Sequence, residues 1–261
     1  MLKVECRRAF LSVGLWVGAA LYLFLMVYES WADYTQASGI DMVYLYDYSN
    51  SVSFMLLLLP VIAALPHGMS FAQDWNSRYV HSIWLRVSLA AYVRAKVVAC
   101  FCSGGTCLAL PAVVFMLYFG AKLGFVNETS LEAAMSARVD LLPLLLLPQG
   151  GVALFMVMRL LGIFLYGGMC ALMALAVSAY LPYGYIAVGV PFVCLRLWVY
   201  MIDLFHLPLW LKIGNLNRMI VFGLSLSMGE RIALSVGVLL GLAALCAAIF
   251  AWGVRRRKEN A

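Results

Sequence analysis

The sequence predicts an all-α, polytopic membrane protein with six transmembrane helices and both termini in the cytoplasm. Hydrophobic residues make up 65% of the 261 residues and charged residues only 11%, whereas a soluble domain carries about 25% charged residues. A helix that crosses the hydrocarbon core needs roughly 20 apolar residues, so six crossings and their loops occupy the whole chain. We therefore treat residues 1–261 as a single transmembrane domain that has no room for a separate soluble catalytic domain.

Six apolar segments are long enough for these crossings. The predicted transmembrane helices, numbered 1 to 6, are residues 10–28, 52–71, 97–119, 160–181, 183–202 and 232–252. Pro60 and Pro66 are expected to kink helix 2, and neighbouring helices can satisfy the carbonyls that a kink frees. The segment 203–230 is too long for a turn and too interrupted for a crossing, so we expect short helices that dip into the outer side of the bilayer.

The distribution of lysine and arginine predicts the orientation, because cytoplasmic loops of membrane proteins are enriched in both. With both termini and the loop between helices 2 and 3 inside, these three segments hold 11 of the 18 cations. They are Lys3, Arg7, Arg8, Arg78, Arg86, Arg94, Lys96, Arg255, Arg256, Arg257 and Lys258. The first outer loop holds acidic residues, among them Asp41 and Asp47, and no cation. The net charge of +6 is therefore interpreted as a topological signal and not as a nucleic-acid-binding surface.

An amphipathic helix is predicted between helices 2 and 3, within residues 71–96. The apolar residues that recur there at helical spacing are Val80, Ile83, Trp84 and Val87, and the polar residues on the other faces are Arg78, His81, Ser82 and Ser88. A helix of this kind lies along the cytoplasmic face of a membrane. It either receives motion from a partner protein or anchors the loop through contacts with anionic lipids.

This loop resembles that of the permease subunits of ABC-2 type transporters. Asp74 is an acidic residue shortly after helix 2, and Tyr-x-x-x-Lys at Tyr92 and Lys96 leads into helix 3. The family also has a basic interfacial helix before helix 1, six crossings and a broken outer segment between helices 5 and 6, and this sequence contains the pattern of each. Many members have Glu at the position of Asp74 and Gly four residues later, where this chain has Arg78.

The resemblance implies the membrane-spanning permease subunit of an ATP-driven exporter, which is not itself an enzyme. It implies an ATPase-coupling loop that contains Asp74, Arg78, Arg86, Tyr92, Arg94 and Lys96. ATP and Mg²⁺ would be bound by separate P-loop ATPase subunits, because this sequence contains no G-x-x-x-x-G-K-[ST] motif, and this chain would bind no cofactor. The other expected partners are membrane lipids and a second permease subunit, identical or homologous, in the plasma membrane of a bacterial cell.

Three charged residues near helices 4 and 5 are candidates for an outer gate. Arg159, at the outer start of helix 4, either reaches the lipid headgroups or contacts a substrate. Arg196 lies about 20 Å along helix 5, and an Arg at the centre of a membrane helix costs about 2.5–3.5 kcal/mol, so it should face protein or water. Asp203 follows on the same helical face, about 10 Å further along. The three residues form either a gate or substrate vestibule, or structural ion pairs.

Two Gly-x-x-x-Gly pairs, Gly14 with Gly18 and Gly237 with Gly241, occur in helices 1 and 6. Such a pair lets a membrane helix approach a neighbour closely, and the alternative is ordinary glycine use.

Metal, redox and proteolytic sites are not expected. The seven cysteines are scattered along the chain, and the thiols of Cys100 and Cys102 would point to nearly opposite sides of a helix. The sequence contains neither Gly-x-Ser-x-Gly nor His-Glu-x-x-His, the motifs of two hydrolase classes. An intramembrane enzyme such as a protease, and a non-transporting scaffold or assembly factor, are the two alternatives to the permease.

Overall fold

A computed structural model describes residues 1–36, 40–50, 53–126, 151–208, 212–216 and 228–259. Within these ranges the chain forms helices joined by turns and no strand, as predicted for an all-α protein. The helices are α1 (Leu2–Phe10), α2 (Val13–Gln36), α3 (Met42–Ser49), α4 (Ser53–Ala64), α5 (Ser70–Asn76), α6 (Tyr79–Trp84), α7 (Leu89–Leu123), α8 (Gly151–Tyr180), α9 (Gly184–Leu204), α10 (Ile213–Leu216) and α11 (Met228–Glu259).

Five of the described helices are long and apolar enough to cross a membrane, which confirms the multi-pass transmembrane character of the chain. They are α2, α7, α8, α9 and α11, and they correspond to predicted helices 1, 3, 4, 5 and 6. Helix α8 begins at Gly151 instead of residue 160, and α7 begins at Leu89 instead of residue 97. Tyr92 and Lys96 therefore lie inside a long helix and not in the loop that precedes it.

Predicted helix 2 is interrupted in the structure. Helix α4 ends at Ala64, a turn occupies residues 65–69, and α5 begins at Ser70. Pro66 lies in that turn, and a proline cannot donate the backbone hydrogen bond that a continuing helix needs. Since α4 has 12 residues and a crossing needs about 20, the described residues contain five candidate spans and not the predicted six.

The predicted interrupted segment 203–230 is described only in part. It contains the end of α9, the four-residue helix α10 and the start of α11. Residues 209–211 and 217–227 lie outside the described ranges, so the expected pair of short outer helices stays a prediction.

Helix α8 occupies the centre of the bundle and packs against α4, α5, α7, α9 and α11. Its crossing with α7 depends on glycines on both helices. A Cβ atom on Gly104 would lie 2.9 Å from the carbonyl oxygen of Gly167, and one on Gly167 would lie 2.7 Å from the carbonyl oxygen of Gly104. The adjacent Gly105 and Gly168 are similarly close to the backbone of the facing helix. The two helix backbones therefore touch, which is the packing that small residues allow in membranes.

Only one of the two Gly-x-x-x-Gly pairs serves a close approach within this chain. A Cβ on Gly14 would lie 2.5 Å from the carbonyl oxygen of Leu65, and one on Gly18 would lie 2.7 Å from the Cys107 sulfur. By contrast, a Cβ built on Gly237 or Gly241 has no atom of the described residues within 4 Å apart from the glycine's own stretch of helix. The prediction of close packing is confirmed for the first pair and is wrong, within the described chain, for the second.

The ends of the bundle can be defined by contacts between distant segments. At one end, called here the α1 end, Asn76 donates a hydrogen bond to the carbonyl oxygen of Pro182 over 2.9 Å, and Arg257 donates to that of Tyr180 over 2.7 Å. At the opposite end, called the α3 end, the backbone N–H of Met42 donates to the carbonyl oxygen of Gly124 over 3.2 Å. The three cation-rich segments all lie at the α1 end.

The α7–α8 crossing predicts that alanine substitutions at two glycines have different effects on stability. Gly104→Ala should lower the free energy of unfolding by about 1–3 kcal/mol, because its methyl group overpacks the contact with Gly167. In the matched control, Gly241→Ala should be neutral or stabilising by up to about 1 kcal/mol through helix propensity. Thermal unfolding of the purified variants in one detergent measures both, and a melting temperature of Gly104→Ala equal to that of the control would contradict the crossing.

Candidate functional site

The short N-terminal helix α1 brings two charged residues to the α1 end of the bundle. Helix α1 is amphipathic: Glu5 and Ala9 face the protein and are buried, while Lys3 and Arg7 are exposed. The Glu5 residue is 1% exposed, which is unusual for a carboxylate because a buried charge needs partners. Arg8 lies one turn further along and is partly exposed.

Lys96 is the centre of a buried group of charges. Its side chain is fully buried, and its Nζ atom lies 2.9 Å from Glu5 Oε2 and 2.6 Å from Asp74 Oδ2. Helix α7 positions the ammonium, α1 supplies one carboxylate and α5 supplies the other. One lysine therefore joins three helices that are far apart in the sequence.

Three further side chains complete the arrangement. The Arg8 guanidinium lies 3.1 Å from Glu5 Oε1 and 2.9 Å from Asp74 Oδ1, so it bridges the same two carboxylates from the solvent side. His67 Nε2 lies 3.2 Å from Glu5 Oε2, and the Tyr92 hydroxyl donates to Asp74 Oδ2 over 3.5 Å. We call these six residues, Glu5, Arg8, His67, Asp74, Tyr92 and Lys96, the buried charge cluster.

The charges of this cluster balance when His67 is neutral. Two carboxylates face one ammonium and one guanidinium, so the group can be buried without a net charge. Each carboxylate also receives charge-assisted contacts on both of its oxygens, which offsets part of its lost hydration. The described residues contain no group of three or more His, Cys, Asp or Glu side chains placed to hold a metal ion.

The environment shifts the pKa values of Glu5 and His67. Burial by itself would raise the pKa of Glu5, but the hydrogen bond from His67 and the nearby Lys96 ammonium outweigh it and lower that pKa to about 2. Burial is the largest influence on His67 and lowers its pKa below the ordinary 6.5, against the opposing effect of its hydrogen bond to Glu5. Glu5 is therefore ionised and His67 neutral at physiological pH, and neutral His67 donates its Nε2–H to the carboxylate.

The residues predicted for the coupling loop fall into two groups. Asp74, Tyr92 and Lys96 meet in the buried charge cluster, so none of them is available on the surface to a partner. The other three, Arg78, Arg86 and Arg94, are exposed and lie outside the cluster. Sequence reasoning missed Glu5, Arg8 and His67 as members; the signal for Glu5 was an isolated carboxylate in an otherwise basic helix.

Helix α6 has the two faces that its sequence predicts. Val80 and Ile83 are buried, whereas His81 and Ser82 are exposed. The helix is shorter than the amphipathic pattern, with six residues. Arg78 precedes it with φ of 58°, a left-handed conformation that glycine adopts readily and that costs other residues about 1–3 kcal/mol.

Aromatic contacts connect α6 to the rest of the α1 end. Trp75 of α5 lies against His81 and Trp84 of α6, with ring centroids 5.6 and 6.2 Å away. The Arg257 guanidinium of α11 stacks 4.5 Å from the Trp75 ring centroid and also donates hydrogen bonds to the last carbonyls of α8. Trp75 is therefore in contact with both α6 and α11.

The three predicted gate residues make different contacts. Arg159 is 1% exposed and its Nη2 lies 2.8 Å from Asp47 Oδ2, so the interpretation that it reaches lipid headgroups is wrong. Asp47 belongs to the packed helix α3 and not to an open outer loop. Asp203 forms an ion pair of 2.7 Å with Lys212, and Arg196 lines a cavity. Two of the three thus take part in separate ion pairs.

No family model, curated protein or solved structure matches this chain.

The buried charge cluster predicts a strong asymmetry between two neighbouring cations. Lys96→Met should lower the free energy of unfolding by about 3–5 kcal/mol, because it removes the buried ammonium between the two carboxylates and leaves only Arg8 to pair with both. Arg94→Met, two residues earlier on the exposed side of α7, should change it by no more than about 0.5 kcal/mol. Thermal unfolding in detergent compares the two, and equal losses would show that the cluster does not stabilise the fold.

The pKa of His67 predicts a loss of stability on mild acidification. Because this pKa is lowered in the folded chain, the unfolded chain binds more protons once the pH falls below 6.5, and stability falls with it. The contribution of Glu5 is present above its ordinary pKa of 4.5 and is lost only as the pH falls toward about 2. His67→Gln should therefore flatten the dependence of melting temperature on pH just below 6.5, where Glu5 still contributes fully.

The matched control for this titration is His81→Gln, since His81 is exposed and lies outside the cluster. It should keep the wild-type dependence on pH. A flattening of equal size in both variants would assign the effect to something other than the buried imidazole.

Proposed function

We propose that this chain is the permease subunit of an ATP-driven exporter of the ABC-2 type, and that a separate ATPase docks on α6. The observation that carries the proposal is the convergence of Asp74, Tyr92 and Lys96. These residues carry the sequence resemblance, they lie up to 22 positions apart, and they form one buried cluster with the N-terminal helix. Residues that matched the family only by chance would not be expected to lie together in the folded chain.

The conformation of Arg78 supports the same resemblance. Many members of the family have glycine at this position, and the backbone of Arg78 is left-handed here, with φ of 58°. Glycine adopts that conformation at little steric cost. The departure from the family at this position is therefore one of residue type, while the backbone retains the shape that a glycine would favour.

The placement of cations supports a cytoplasmic location for the α1 end. The N-terminal helix, the segment around α6 and the last turn of α11 share that end, and together they carry most of the lysines and arginines. The positive-inside rule orients such an end toward the cytoplasm. That is the side on which an ATPase has access to ATP.

Helix α6 offers a surface to a partner and is attached to several helices behind it. Its exposed side and the residue that follows it present Tyr79, 48% exposed, and Leu85, 89% exposed, with the exposed Arg86 next in sequence. Behind them, Arg8 of α1 lies over the Tyr79 ring at 5.9 Å, and Trp75 connects α6 to α11. A displacement of α6 would therefore be transmitted to α1, α5 and α11 through packed side chains.

The proposed roles of the coupling residues follow from their burial. Asp74, Tyr92 and Lys96 act as positioning residues that hold α5, α7 and α1 together. Direct contact with the ATPase is assigned to the exposed Leu85 and Arg86.

Affinity purification in mild detergent tests the proposal. A P-loop ATPase should co-purify with the wild-type chain and hydrolyse ATP, and transport should require it. A chain that is fully active without any ATPase would contradict the proposal. Proteolysis by the purified chain alone would favour an intramembrane enzyme, and a stable complex with no ATPase in it would favour a scaffold.

The substitution Arg86→Glu tests the proposed docking surface at α6. Reversing this exposed charge should reduce the amount of bound ATPase by about tenfold, which corresponds to about 1.4 kcal/mol. The control Lys122→Glu reverses an exposed charge at the α3 end and should leave assembly unchanged. Equal assembly of both variants would reject docking through α6 without rejecting an ATPase partner elsewhere.

A further inference from the structure

A cavity of about 240 Å³ lies between α4, α8, α9 and the start of α10. Arg196 and Lys212 contribute two cations to its wall, and Tyr166, Pro60, Phe192 and Trp198 also line it. The cavity is distinct from the buried charge cluster, which shares no residue with it.

The cavity lies in the half of the bundle away from the α1 end. Helix α9 starts at Gly184, beside the turn whose Pro182 carbonyl is bonded to Asn76, and Arg196 follows about 18 Å along the helix at 1.5 Å per residue. Lys212 lies beyond the far end of α9, where Asp203 holds it at 2.7 Å. The cationic wall therefore extends from the middle of the bundle toward the α3 end.

The charges of this wall favour an anion. Both cations line the cavity, whereas Asp203, the partner of Lys212, does not. A guanidinium carries five N–H donors, so Arg196 can bind an anionic group while it keeps its contacts with the protein. Such contacts are strong where apolar neighbours exclude water.

The remaining wall favours an apolar body. Phe192, Trp198 and Pro60 line the cavity together with the two cations, and pockets of this composition bind ligands that combine one oriented polar group with a hydrophobic part. We propose that this cavity is a binding site for an anionic amphiphile, a molecule with one sulfonate, carboxylate or phosphate group attached to an apolar chain. The molecule is either a single-chain amphiphile or the anionic headgroup region of a phospholipid.

This inference does not require the ATPase partner, since binding can be measured on the purified chain. Its failure would leave the proposed permease role unchanged, and failure of ATPase co-purification would leave the binding site unchanged.

Fluorescence quenching tests the site, because Trp198 is part of its wall. The chain is placed in nanodiscs of phosphatidylcholine, and an ω-brominated dodecyl sulfonate, ionised at any pH, is added. The neutral match is ω-bromododecanol, which partitions into the bilayer and reports non-specific quenching of exposed tryptophans. A second arm uses nanodiscs that contain brominated phosphatidylglycerol, with brominated phosphatidylcholine as its neutral-headgroup match, and separates a lipid headgroup from a free amphiphile.

In at least one arm, the anionic probe should cause saturable quenching that exceeds the quenching by its neutral counterpart. This additional quenching should disappear in Trp198→Phe. Arg196→Gln should weaken this binding by about tenfold or more, because it removes a charged donor, and Arg196→Lys should retain most of it. Arg94→Gln, which removes an exposed cation at the α1 end, should bind as the wild type does.

Two results would overturn the inference. One is equal quenching by the anionic probes and their matches in both arms. The other is unchanged binding by an Arg196→Gln variant whose melting temperature equals that of the wild type. If Arg196→Gln does not fold, the comparison of anionic and neutral probes on the wild type and on Trp198→Phe decides the question alone.

Discussion

The Lys96 ammonium, fully buried between the carboxylates of Glu5 and Asp74, is the interaction on which the α1 end of the molecule depends. Helix α1 has only 9 residues, and an isolated helix of fewer than about 12–15 residues is marginal in water. Its position on the bundle is instead determined by the ion pairs of Glu5 with Lys96 of α7 and of Arg8 with Asp74 of α5. Because buried charges tolerate little misplacement, the three helices adopt one mutual arrangement.

The α7–α8 crossing connects the fixed arrangement of α1, α5 and α7 to the rest of the bundle. Glycines allow the two backbones to touch, so the helix that carries Lys96 at one end is packed directly on the helix that carries Arg159 near the other. Arg159 in turn pairs with Asp47 and so attaches α3 to α8. A chain of close packing and two sets of buried ion pairs thus joins the α1 end to the α3 end.

The two proposed binding surfaces lie on opposite sides of this framework. Leu85 and Arg86 follow α6 at the α1 end, where we propose that an ATPase docks, and the cavity with Arg196 and Lys212 lies toward the α3 end. Helices α8 and α9 contribute to the cavity, and the last carbonyls of α8 are bonded by Arg257, which also stacks on Trp75. Helix α8 therefore contacts the α1 end, where we propose that an ATPase acts, and also lines the proposed ligand site.

The sequence by itself determined the membrane class, five of the long helices and the two faces of α6, because long apolar runs and helical periodicity are local signals. The resemblance also selected Asp74, Tyr92 and Lys96, but it did not indicate that Glu5 pairs with Lys96 in the same buried cluster. Pro66 marked the place where predicted helix 2 is interrupted, but only the tertiary structure decided the pairing of Arg159 with Asp47. Ion pairs between distant positions leave no periodic trace in a sequence, since their energy depends on burial and distance in the folded chain.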